Sequence, residues 1–122
     1  MPENRGQQHH RERLGVALRE EIETILEGEL GDPRIGLVNV SEVHLAPDAR
    51  SAHVWVVVEG NDEEANRTLQ GLAAAAGFIR HQVAERLNLR RAPEFFFELD
   101  RSARYQARIT ELLNRTKKGK KH

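Results

Sequence analysis

The chain has 122 residues, 39% of them hydrophobic, enough for one domain around one core. It has no cysteine, which excludes disulfides, thiolate metal sites and a thiol nucleophile. Its formal net charge of zero hides a dipole: Met1 to Gly77 carries 7 Lys/Arg and 14 Asp/Glu, whereas Phe78 to His122 carries 12 and 5.

Such polarity points to an anionic partner for the basic half, unless the two halves are solvated faces that attract each other. The opening MPENRGQQHHR has no apolar h-region. No later segment approaches the roughly 18 consecutive apolar residues of a membrane span. A soluble, cytoplasmic protein without a membrane partner is expected.

Residues 1–10 read as a flexible leader without assigned structure. From about Arg11, Leu14, Leu18, Ile22, Ile25 and Leu26 recur at helical spacing and predict a first helix ending near Gly28 to Gly31. Glu20, Glu23 and Glu27 fall on its other side and read as a solvated row. Gly31 to Gly36, GDPRIG, is a tight connection in which Asp32 caps local donors and Pro33 fixes φ.

Val38 and Val40 share one parity and Val43 and Leu45 the other. A bulge near Ser41 and Glu42 would put all four on one face of a strand. After a turn at Ala46 to Ala49, Ala52, Val54, Val56 and Val58 alternate with His53, Trp55 and Val57, completing a hairpin. A second helix starts near Asp62 and uses Ala65, Leu69, Leu72, Ala73 and Ala76. It meets Gly77, read as a kink or sharp interhelical turn, and Phe78, Ile79, Val83 and Leu87 carry the stripe onward.

Pro93 closes that helix, and Glu94 to Leu99 predicts a strand with Phe95, Phe97 and Leu99 on one face and Phe96 on the other. Asp100 and Ser102 are candidate caps for a last helix with Tyr105, Ile109, Leu112 and Leu113 as its stripe. The order is that of an α+β layer, a small sheet covered by helices.

The chain contains no P-loop, G-x-S-x-G elbow, H-E-x-x-H or dinucleotide fingerprint, so no catalytic site is expected. His44 and His53 can approach one another across the hairpin, but two imidazoles make a poor zinc site. The basic residues carry more. Arg80, Arg86, Arg90 and Arg91 lie beyond Gly77, and Arg101, Arg104, Arg108, Arg115, Lys117, Lys118, Lys120 and Lys121 follow. Guanidinium groups bind phosphate bidentately, and the summed charge would give salt-dependent binding to nucleic acid. Arg104 and Arg108 equally suit a row that only solubilises a helix. Trp55 suits either stacking on a base or packing, and Phe96 either partial burial or contact.

The helix ending before Asp32-Pro33-Arg34, the valine-rich hairpin with Val43 and Asp48, Ala75-Ala76-Gly77 followed by Phe78, Ile79 and Arg80, Leu89-Arg90 leading to Pro93-Glu94, and Asp100 with Ser102 occur in a telling order. From about Arg13 to Leu113 the chain resembles the ribosome-binding factor A family of bacterial small-subunit assembly factors.

The resemblance implies a single KH-like domain of the second topological type over 11–115; the residues after it, 116–122, read by composition as a basic flexible tail. Its order would be α-β-β-α-kink-α-β plus a C-terminal helix, with an Ala-x-Gly kink at Ala75, Ala76 and Gly77 in place of the G-x-x-G loop. A G-x-x-G loop clamps about four nucleotides of single-stranded RNA, so ordinary KH binding is not expected. The aromatic triplet Phe95 to Phe97 is heavier than the mixed strand expected there.

The resemblance further implies association with the small (30S) ribosomal subunit and late maturation of 16S ribosomal RNA by RNA binding, without catalysis or cofactor. Arg80, Arg90 and Arg91, and then Arg86, would contact RNA, and Arg101, Arg104, Lys117 and Lys118 extend that set by charge. A releasing GTPase is the further partner expected, and the chain a monomer. The competing reading is a protein-binding or dimerisation module using the sheet edge and the acidic first helix.

Overall fold

The computed structural model describes residues 5–28, 33–102, 110, 113 and 114. Within them run α1 (Arg5–Gly28), β1 (Val38–Leu45), β2 (Ser51–Val58), α2 (Asp62–Arg86) and β3 (Glu94–Leu99). The sheet has the order β1-β2-β3, with β1 antiparallel and β3 parallel to the central β2. This is the expected α+β layer: one sheet face takes the helices, with Leu18, Ile22 and Ile25 of α1 and Ala65, Leu72, Ile79 and Val83 of α2 buried against Val40, Leu45, Val54, Val56 and Phe95.

The bulge lies where the valine pattern changes phase. Register shifts between Val40 and Glu42, so Val38, Val40, Val43 and Leu45 all turn towards the core. Ser41, the extra residue, donates its hydroxyl to Asp100 Oδ2 at 2.6 Å and so ties the bulge to the residue after β3.

α1 runs along the outer edge of β1, and four residues at helical spacing manage that edge. The Arg11 guanidinium donates to the Leu45 carbonyl at 3.3 Å, and Gly15 lets the helix approach Val43 O. Arg19 Nε donates to Val40 O at 3.4 Å, and Glu23 Oε1 accepts from Val40 N–H at 3.2 Å. Peptide groups that an edge strand would offer to another chain are therefore occupied by helix side chains. Glu23 thus departs from the solvated row expected for it.

Other expectations are corrected as well. The helix begins at Arg5, so residues 5–10, expected as part of a flexible leader, are helical. They are exposed, and continuity with the packed part of α1, the helix propensity of Arg5, Gln7 and Gln8, and the Gln8–Glu12 hydrogen bond at 3.4 Å sustain them in spite of Gly6. Of the kink or sharp interhelical turn expected at Ala75, Ala76 and Gly77, the turn does not occur, because Asp62–Arg86 is a single α-helix. Leu72, Ile79 and Val83 remain in phase across the glycine, so packing holds the helix through a local propensity cost of about 1 kcal/mol. Phe78, expected in the buried stripe, is exposed, as is Leu113.

Arg101, Ser102, Thr110, Leu113 and Asn114 are helical. The expected cap Asp32, the last-helix positions Tyr105, Ile109 and Leu112, and the 116–122 tail lie outside the described residues. Among the described residues no helix is long and apolar enough to cross a membrane.

Candidate nucleic-acid interface

The basic surface is built at the end of α2. Asn61 caps the start of that helix, its side chain accepting from Glu64 N–H at 2.8 Å, and Asp62, Glu63 and Glu64 fill the first turn. Acidic residues at the N-terminus and arginine in the last turn both suit the helix dipole.

At the other end Leu89 N–H reaches Ala84 O at 2.9 Å and Asn88 N–H reaches Glu85 O at 3.3 Å. Asn88 stands at φ 52. This pair of bonds around one left-handed residue is a Schellman motif. Leu87 and Leu89 pack on the core on either side of it, so the chain leaves the helix in a fixed direction.

The turn from Asn88 to Pro93 is pinned again from α2. Arg80 Nε donates to the Ala92 carbonyl at 2.9 Å, and Ala92 and Pro93 are buried. Arg90 and Arg91 stand exposed between these two anchors. Neither makes a hydrogen bond or ion pair among the described residues.

The expected basic residues therefore separate into roles. Arg90 and Arg91 are presented to solvent on a short, doubly anchored turn. Arg80 is half-buried and spends its Nε on Ala92, so it positions the turn. Arg86 faces α1, with Nη1 at 3.6 Å from Glu21 Oε2. Arg101 is exposed just beyond β3. Arg104, Lys117 and Lys118 lie outside the described residues.

Two exposed guanidinium groups on a rigid turn can take phosphate oxygens bidentately without ordering a loop first. Among the described residues no three of His, Cys, Asp and Glu are grouped to hold a metal ion. His81 on the same helix lies 3.2 Å from Glu85.

The opposite side of the sheet carries a row of rings in which Phe96 joins the His44, His53 and Trp55 that the hairpin brings together. His44 meets Trp55 edge-on with centroids 4.9 Å apart, His53 lies 5.4 Å from Trp55, and Phe96 lies 5.8 Å from His53. Strand register is what makes this row: His44 opposes His53, and His53 opposes Phe96.

Residues 10–113 match the model of a family described as ribosome-binding factor A. A ribosome-binding factor A of Koribacter versatilis (strain Ellin345) is 62% identical over 119 residues, covering 98% of this chain and 97% of that protein. The crystal structure of ribosome-binding factor A from Thermus thermophilus superposes with a TM-score of 0.65 at 26% identity, covering 73% of this chain and 93% of that one. A homology model of Thermus thermophilus ribosome-binding factor A, fitted into the cryo-EM map of its complex with the 30S subunit, gives a TM-score of 0.56 at 32% identity. It covers 77% of this chain and 94% of that chain.

Proposed function

The chain belongs to the ribosome-binding factor A family, and on that premise we propose that it binds the small ribosomal subunit through ribosomal RNA and assists late maturation of 16S RNA without catalysis. The observation that carries this reading is the exposed Arg90–Arg91 pair, fixed by the Schellman motif and by the Arg80–Ala92 hydrogen bond. An anchored backbone presents the two cations from set positions, so less entropy is lost on binding than from a mobile loop, and the surface is selected by shape and phosphate spacing.

Support also comes from the Thermus thermophilus homology model, fitted into the map of a complex with the 30S subunit. Mechanistically, the protein would act by binding one conformation of the immature RNA better than another, since a ligand shifts an equilibrium only by its differential affinity. Arg86, in the last turn of α2, would add to the positive field beside the pair, and Arg101, beyond the other end of β3, would be a separate contact. In this reading the protein acts as a cytoplasmic monomer, and a GTPase releases it.

Co-sedimentation with small subunits across a salt series tests the proposal. Arg90→Ala/Arg91→Ala should weaken binding and flatten its salt dependence by about one unit of slope per cation removed. Binding that is insensitive to salt and unchanged in the double variant would overturn the site.

A further inference from the structure

The outward face of the sheet has a chemistry opposite to that of the arginine turn. Across its three strands lie the rings of His44, His53, Trp55 and Phe96, flanked by Glu42 and Glu98. Phe96 is 44% exposed and Glu98 is exposed beside His53, its Oε1 3.6 Å from Nδ1. Glu94 is exposed on the same strand, and none of β1, β2 and β3 contains a lysine or arginine.

This face continues round the outer edge of β3. Glu94 N–H donates to Arg50 O and Asp100 N–H to Val56 O, so even-numbered residues pair with β2. The backbone groups of Phe95, Phe97 and Leu99 therefore point away from the sheet. A groove of about 480 Å³ follows this edge, lined by His53, Ala73, Ala76 and residues 94–98. Small side chains on α2 leave room beside the strand.

We propose that this edge and face dock an extended, arginine- or lysine-rich segment of a protein partner. Strand addition along β3 would supply backbone hydrogen bonds, and alternate side chains would fall over the aromatic row. There a cationic side chain gains from the ring face of Phe96 and from the carboxylates of Glu94 and Glu98, which flank it on the outward side of β3. The same carboxylates repel phosphate, so this face selects basic polypeptide against nucleic acid.

Trp55 is the chain's single tryptophan, which makes its emission a local reporter. The probe is a short synthetic peptide alternating arginine and valine, compared with its glutamate–valine counterpart and with a short single-stranded RNA. The arginine peptide should change Trp55 emission saturably and slow amide exchange at Phe95 and Phe97. Glu94→Gln/Glu98→Gln and Phe96→Ala should each weaken it by about tenfold, with circular dichroism unchanged. Arg90→Ala/Arg91→Ala should leave it intact. No saturable change with the arginine peptide, equal binding by the glutamine variant, or a saturable response to RNA in its place would each overturn the proposal. None of these results depends on whether small subunits are bound.

Discussion

Arg80 Nε holds the carbonyl of Ala92 at 2.9 Å, closing the end of α2 onto the entry to β3. An arginine that looks like part of a phosphate-binding row thereby spends its Nε on the backbone. Arg80→Ala should cost about 1 kcal/mol of stability through loss of this half-buried hydrogen bond. Arg90→Ala and Arg91→Ala, at exposed positions, should stay within about 0.5 kcal/mol of the parent. Urea denaturation of the three variants measures both. Equal stabilities throughout would remove the distinction between positioning and contacting arginines.

Two glycines of α2 should respond to alanine with opposite sign. A Cβ on Gly77 would meet nothing within 4 Å, so Gly77→Ala should gain helix propensity and stabilise by up to about 1 kcal/mol. A Cβ on Gly71 would come within 2.7 Å of Ile35 Cγ1 and 3.3 Å of Arg34 Cβ, where the segment after Pro33 docks on the helix. Overpacking there costs about 1–3 kcal/mol, more than propensity returns. Gly71→Ala should therefore lower the melting temperature and Gly77→Ala raise it. A fall for Gly77→Ala would show that this glycine has a backbone role the continuous helix does not explain.

Elements whose cause is periodic are legible in the sequence. The alternating valines of β2 and the phase slip in β1 lead directly to the paired strands and the bulge at Ser41, because alternation reports which face is buried. Gly77 misleads because its propensity cost is local, while the in-phase burial of Leu72, Ile79 and Val83 is a tertiary gain. At the site, Arg80 and Arg90 are the same residue type ten positions apart. Only the return of Ala92 to α2 distinguishes them. The Phe96 end of the aromatic row is invisible for the same reason, since it reaches His53 through a parallel pairing with a helix in between.

Glu23 guards the edge of β1 by accepting the outward N–H of Val40. Glu23→Ala should leave that donor without its partner and cost about 1–3 kcal/mol, whereas Glu23→Gln keeps an acceptor and should cost less. Loss of the guard also uncovers a strand edge able to pair with another copy. Sedimentation velocity of Glu23→Ala should accordingly show concentration-dependent association that Glu23→Gln lacks. A monomeric Glu23→Ala of parental stability would mean that the edge is protected by α1 packing alone.

Asn88 sets the direction in which the arginine turn leaves α2. At φ 52 it occupies the left-handed region that asparagine tolerates better than most residues and glycine adopts freely. Asn88→Ala should therefore destabilise by about 1 kcal/mol, while Asn88→Gly should be close to neutral. The two variants separate backbone strain from side-chain contact, because both remove the amide and only alanine retains a Cβ. If strain is the cause, thermal denaturation will rank glycine above alanine. Subunit binding should follow the same order, since Arg90 and Arg91 depend on the turn that Asn88 begins. Equal losses in both variants would instead assign the role to the asparagine side chain.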